Sequence, residues 1–189
     1  NDLIKIPELP SVDEFDEKES LNNEKEVLGL YISGHPLLEH AEDLEEFTTI
    51  DFGEEQKISK DEILVVGGMI TRINKRFDKR NRPMAFFDMD CLGGHAEVIA
   101  FSDSYELFED IIKDSNVVFV KGKPSDNTDF SDLKIVANDI IPVSMVREQL
   151  STNLNIKFDS ASIGPDDVNN LMEIARNYPG RCNIIFHLP

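Results

Sequence analysis

Residues 63–101 read ILVVGGMITRINKRFDKRNRPMAFFDMDCLGGHAEVIAF. Short runs of β-branched and aromatic residues alternate here with turn and polar residues, which is strand spacing rather than helical spacing. It predicts strands over Ile63–Ile73, Met84–Asp90 and His95–Phe101. Residues 74–83 form the loop joining the first two, and Leu92-Gly93-Gly94 is the turn before the third. Gly67 and Gly68 stand inside the first strand, where paired glycines signal a bulge or sharp coil. Side-chain parity across that strand is therefore not readable. In the second strand the alternation places Phe87 and Met89 inward and Phe86 and Asp88 outward.

Downstream, Ser102 is positioned to N-cap a helix over 103–112 whose apolar side is Leu107, Phe108, Ile111 and Ile112. Asn116–Lys121 and Leu133–Ile141 follow as the fourth and fifth strands, around a polar loop at 124–131. Three strands, a helix and two strands is the order of an OB-fold, a five-stranded Greek-key barrel. The expected fold is mainly β with α: that barrel, flanked by N-terminal helices and a C-terminal βαβ unit. The expected domains are a linker at 1–14, a helical connecting segment at 15–60, the barrel at 61–142 and a partial α/β domain at 143–189.

Pro7 and Pro10 mark the linker. Helices are expected over 15–31 and from Pro36 to about Phe47, the second burying Leu37, Leu38, Ala41 and Leu44. After Pro142 a short helix near 143–150 leads to a strand at Leu154–Phe158, a helix at Pro165–Asn177 and a strand at Cys182–Leu188. One βαβ unit is small for independent folding, so it is read as packing on the barrel or opening a domain that continues. The chain starts without Met and lacks a signal-peptide pattern, which reads as a segment of a longer cytoplasmic protein.

Of the 189 residues 40% are hydrophobic and 30% charged, enough for a core beneath a soluble surface. No stretch approaches the roughly 20 apolar residues of a membrane span, so no membrane association is expected. Cys91 and Cys182 lie far apart and suit buried thiols in a reducing compartment rather than a disulfide framework.

The formal charge is −18, and residues 1–62 hold 19 acids against 5 bases. Against that background Arg72, Lys75, Arg76, Lys79, Arg80 and Arg82 fall within eleven positions, opposed only by Asp78. Phe77 lies among them and Phe86 follows. Cations beside exposed rings are what single-stranded nucleic acid requires, the first for phosphates and the second for bases. In an OB-fold the loop between strands 1 and 2 is a binding loop, and here it is the basic segment. Lys121, Lys123 and Lys134 extend the charged track from strands 4 and 5. The candidate nucleic-acid-binding residues are therefore Arg72, Lys75, Arg76, Phe77, Lys79, Arg80, Arg82, Phe86, Lys121, Lys123 and Lys134. Two plainer readings compete: a solvated charged hairpin, and a patch or a Phe86 ring covered by the acidic N-terminal helices.

Nothing in the sequence reads as an active site. There is no phosphate-binding glycine loop, no zinc spacing among the scattered His and Cys, and no nucleophile triad. Asp88 and Asp90 share a strand face and, lacking a third ligand, read as an outward acidic pair rather than a Mg²⁺ site. No catalytic residue, metal or cofactor is expected.

The run EKEVLGLYISGHPL at 24–37 closely resembles the segment that precedes the OB domain in bacterial DNA polymerase III α subunits. Residues 83–87 and 93–101 resemble that OB domain itself, and the similarity covers nearly the whole chain. The resemblance implies a non-catalytic module that binds single-stranded template DNA during replication. The family's full-length chain is a DNA-directed DNA polymerase, a nucleotidyltransferase, and its catalytic aspartates lie outside this chain. The resemblance also implies contact of the final domain with the clamp-loader τ subunit and of a nearby motif with the sliding clamp. Asp13-Glu14-Phe15 lacks the glutamine-led clamp-binding pattern, so no residues are assigned to that partner. Two alternatives stand beside this reading. The acidity suits a protein-docking scaffold for clamp or clamp-loader subunits. The Phe86–Asp90 stretch also resembles the anticodon-binding OB domain of aminoacyl-tRNA synthetases, against which the 24–37 run argues.

Overall fold

The computed structural model describes residues 27, 34, 36–53, 56–126, 128, 132–157 and 164–187. The linker expected at 1–14, nearly all of the helix expected at 15–31, and the question of whether the acidic leader covers the basic patch lie outside these residues. The chain forms two compact units, Asn1–Ala41 and Glu42–Pro189. The single helix expected from Pro36 to Phe47 is in fact two pieces, a 3₁₀ helix at Pro36–His40 and α1 at Ala41–Phe47. Leu37 and Leu44 are buried, but Leu38, expected beside them, is exposed. A 3₁₀ turn has three residues rather than about 3.6, which rotates successive side chains off an α-helical stripe.

The second unit is built on β1 (Leu64–Phe77), β2 (Pro83–Cys91), β3 (Gly94–Ala100), α2 (Ser102–Phe108), β4 (Val117–Pro124) and β5 (Lys134–Pro142). The strands close a barrel in the order β1-β2-β3-β5-β4. Neighbours are antiparallel except β3 and β5, which run parallel. Closure depends on β1, whose Leu64–Met69 pair with β4 and whose Met69–Phe77 pair with β2.

The glycine pair serves close approach. A Cβ on Gly67 would stand 2.5 Å from Leu44 Cδ2 and 2.7 Å from the Phe119 ring, and one on Gly68 would stand 2.5 Å from the Asp90 carbonyl oxygen. The bulge they suggested lies just beyond, where the β1–β2 register shifts between Ile70 and Arg72. An extra residue there reverses parity. Val66 and Ile70 face the core before it, whereas Arg72, Asn74 and Arg76 face outward after it.

Ile70, Phe87, Met89, Val98, Val120 and Ile135 fill the interior, each at most 1% exposed. On the outside of β4, Phe119 meets Phe47 of α1 edge to face with centroids 6.3 Å apart. Helix α1 therefore packs on the outside of β4 through Phe47 and approaches β1 at Gly67 through Leu44. Helix α2 is shorter than the expected 103–112. It ends at Phe108, and the amides of Ile111 and Ile112 turn back to the Phe108 carbonyl. Leu107 is exposed, while Ile112 is buried. The N-cap is Phe101, not Ser102, because the Ser102 hydroxyl is engaged elsewhere.

A 3₁₀ turn at Val143–Met145 and α3 (Val146–Leu150) follow the barrel, then β6 (Asn153–Lys157), α4 (Pro165–Asn177) and β7 (Asn183–His187). β6 and β7 make a parallel two-stranded sheet. Leu154, Ile184 and Ile185 in it are 38–50% exposed. Cys91 is buried as expected, but Cys182 is exposed, since it precedes a strand that has no second sheet layer over it among the described residues. No described helix is long and apolar enough to cross a membrane.

Candidate nucleic-acid interface

β1 runs four residues past its expected end, which shortens the basic loop to 78–82. Arg72, Lys75, Arg76 and Phe77 are thus strand residues paired with Pro83–Asp88. The turn is tight. The Asn81 amide donates to the Asp78 carbonyl at 2.9 Å, and the Asp78 amide donates to the Arg82 carbonyl at 2.8 Å. Asn81 has a φ of 61°, the left-handed conformation that the three residues 79–81 between the Asp78–Arg82 closing pair require and Asn tolerates.

Asp78 organises the tip. Its Oδ1 accepts from the Arg80 and Arg82 amides at 2.8 and 2.9 Å. Its Oδ2 accepts from Arg82 Nε at 3.0 Å and from Ser102 Oγ at 3.2 Å. Donation from the Arg82 amide, then from the Arg80 amide, the Arg82 side chain and Ser102, outweighs partial burial and holds this carboxyl at about 2. Arg82 Nη1 reaches on to Asp103 at 2.6 Å. Arg82 is a brace between the hairpin and α2.

On the outer face, cross-strand pairing lays side chains in rows. One row is apolar: Phe86 of β2 lies opposite Asn74 of β1 and Ile99 of β3, Ile99 opposite Val136 of β5, and Val136 opposite Lys123 of β4. Beside it, Arg76 stands over the Phe86 ring at 5.9 Å from its centroid, a cation–π geometry. The next row is charged: Arg72, Asp88, Glu97 and Lys134 are successive partners across β1, β2, β3 and β5. Between the rows an open groove of about 410 Å³ is lined by Arg72, Asn74, Arg76, Phe86, Asp88 and Glu97.

The eleven candidate residues separate into groups. Arg76, Lys79, Arg80, Lys121 and Lys123 have no carboxylate at ion-pair distance among the described residues. Arg72 is paired with Asp88 at 3.2 Å. Lys134 sits between Glu97 at 3.1 Å and Asp132 at 3.2 Å, which hold its ammonium above the ordinary value. Lys75 has the opposite parity to Arg76. Its Nζ lies 5.6 Å from the Tyr105 ring centroid and 3.2 Å from Glu109, and these two partners, Tyr105 first, raise its pKa. Phe77, 69% exposed, ends β1 opposite Pro83 on that same parity. Lys121 lies opposite Asp139 across β4 and β5.

The face thus brings Arg72, Arg76, Phe86, Lys123 and Lys134 together, with Lys79 and Arg80 at the tip, and turns Lys75 and Arg82 toward α2. Sequence reading missed Asn74, Ile99 and Val136. The alternation of strand 3 could have placed Ile99 outward, but nothing local announces the parallel β3–β5 pairing that brings Val136 beside it. Among the described residues no cluster of His, Cys, Asp and Glu is arranged to hold a metal ion.

Residues 64–143 match the tRNA anti-codon family model, an OB-fold nucleic acid binding domain. The DNA polymerase III subunit alpha of Borreliella burgdorferi is 28% identical over 180 residues, 93% of this chain and 16% of the relative. That of Mycobacterium leprae is 30% identical over 187 residues, 98% of this chain and 15% of the relative. Among solved structures, the mitochondrial single-stranded DNA binding protein Rim1 of S. cerevisiae aligns with a TM-score of 0.36 and 13% identity, over 46% of this chain and 96% of that one. The chain spans 15–16% of the length of the first two relatives. Its barrel is an OB-fold nucleic-acid-binding domain, and the chain is similar over nearly its whole length to one segment of DNA polymerase III α subunits.

Proposed function

We propose that the barrel binds single-stranded DNA, the template strand of a replicative polymerase, as a non-catalytic module. The observation that carries this is the apolar row Phe86–Ile99–Val136, with Arg76 beside it over the Phe86 ring and Lys123 at its far end. Bases laid along that row gain stacking and apolar contact, while the backbone meets Arg76, Lys123 and the tip cations Lys79 and Arg80. A duplex hides its base faces and gains only the phosphate contacts. The polymerase III relatives support a place in DNA replication, in the cytoplasm and beside the polymerase active site rather than within it.

A salt titration with single-stranded DNA, duplex DNA, RNA and tRNA tests this. Four phosphate contacts predict a slope of log affinity against log salt of about −3 for single-stranded DNA. Reversal of Arg76, Lys79 and Arg80 to Glu is expected to abolish binding. Equal affinity for duplex, or indifference to the reversal, defeats the assignment, and a preference for tRNA turns it into an anticodon-type domain.

The exposed Leu154, Ile184 and Ile185 of β6 and β7 favour a second, separate role in protein docking. By the α-subunit resemblance the partners are the clamp-loader τ subunit and, elsewhere on the chain, the sliding clamp. Pull-down of either by the chain, with no oligonucleotide binding, would make docking the whole function.

A further inference from the structure

We propose that Asp88, assisted by Glu97, limits the affinity of the strand-binding face by holding Arg72 and Lys134 as internal ion pairs, so that a bound strand slides rather than lodges. This rests on the single-strand reading above. Asp88 and Glu97 are direct cross-strand partners on β2 and β3. Like charges directly opposite each other on one sheet face are unfavourable. Here they are tolerated because a base stands on each outer side, Arg72 at 3.2 Å from Asp88 and Lys134 at 3.1 Å from Glu97. The result is a row of four charges that sums to zero beside the apolar row, on a surface otherwise suited to a polyanion.

The two acids line the same groove as Phe86 and Arg76. Their side chains are 41% and 34% exposed, so an approaching phosphate meets them within the screening length of about 8 Å at physiological salt. A phosphate that takes Arg72 must displace Asp88 and then lie beside a bare carboxylate. Such phosphates are directed to Arg76 and Lys123 beside the apolar row and to Lys79 and Arg80 at the hairpin tip, and the apolar row is left to bases. Cations already neutralised by the protein release no counterions on binding and add nothing to the salt-dependent affinity. Lys134 keeps Asp132 at 3.2 Å even without Glu97, so Asp88 is the stronger limiter.

The test uses the whole chain and a fluorescent dT oligomer, with affinity followed against salt and dissociation followed by competition. D88N frees Arg72 and is expected to steepen the slope by about 0.7 and to tighten binding about fivefold at 0.1 M salt. The gain should lie mainly in slower dissociation. Adding E97Q should steepen the slope further, by less. In the R72Q/D88N variant, which removes both halves of the pair, the steeper slope and tighter binding gained by D88N should be lost. A D88N protein with wild-type slope and off-rate overturns the inference, as does a gain that persists in R72Q/D88N, since that would be a general charge effect. All three variants are surface changes, and their melting temperatures establish that each is folded. A wild-type chain that binds no oligomer brings down the single-strand reading itself; a wild-type chain that binds, with an unresponsive D88N, brings down this inference alone.

Discussion

Arg76 and Lys75 are neighbours on β1, yet their surroundings have little in common. Arg76 stands over the Phe86 ring on the outer barrel face with no carboxylate beside it among the described residues. Lys75 lies against Tyr105 and Glu109 of the α2 region. Arg80 and Arg82 repeat the contrast at the tip, the first with no carboxylate partner among the described residues and the second held by Asp78 and Asp103. The hairpin therefore has a binding side and a bracing side. What separates them is strand parity and the helix behind, not residue type, so a count of basic residues overstates the charge available to a ligand.

The largest test of this contrast compares the two sets directly. Changing Arg76, Lys79 and Arg80 to Gln removes three phosphate contacts and is expected to weaken oligonucleotide binding about 100-fold at 0.1 M salt. Changing Lys75 and Arg82 to Gln should alter affinity less than about threefold, since neither releases counterions, and should instead lower the melting temperature. Equal losses in the two sets would erase the distinction.

Aromatic residues sharpen it. Phe86→Ala is expected to lose about tenfold in affinity with the salt slope unchanged, the signature of lost stacking rather than lost charge. Phe77→Ala, on the parity of Lys75, should lose less. The smallest effect concerns the brace. Asp78 has its carboxyl lowered from an ordinary value of 3.8 to about 2. A lowered carboxylate pKa means that its stabilisation is complete above about pH 4 and is lost as the pH falls toward 2. Hydrogen exchange should show the Arg80 and Arg82 amides losing protection across that window while the barrel strands keep theirs. Asp78→Asn should remove the pH dependence, and unchanged protection down to pH 2 in the wild type would rule the brace out.

Much of the barrel was legible because its signals are local. The period-two alternation of Met84–Asp90 placed Phe86 outward and Phe87 inward, as found. The order of three strands, a helix and two strands followed from turn residues and apolar runs. Legibility failed where a residue's neighbour is distant in sequence. The first strand was ended at Ile73 because Asn74–Arg82 is too polar to look like a strand, yet antiparallel pairing with Pro83–Asp88 carries it to Phe77. Ser102 looked like a cap, but its hydroxyl is drawn to Asp78 across 24 residues. Gly67-Gly68 suggested a bulge in the right strand for a different reason, the close approach of Leu44, Phe119 and the Asp90 carbonyl.

The sequence alone determined that a basic hairpin joins the first two strands of a small barrel and that Phe86 stands on its outside, because charge, strand period and turn chemistry are written within a few residues. Only the tertiary structure decided which of those bases are available. The register shift after Ile70 turns Arg72, Asn74 and Arg76 outward, the parallel pairing of β3 with β5 brings Val136 beside Ile99, and Asp103, Glu109, Asp88 and Glu97 occupy four of the cations. Each of these depends on backbone pairing or packing between distant segments, which no local window of the chain encodes.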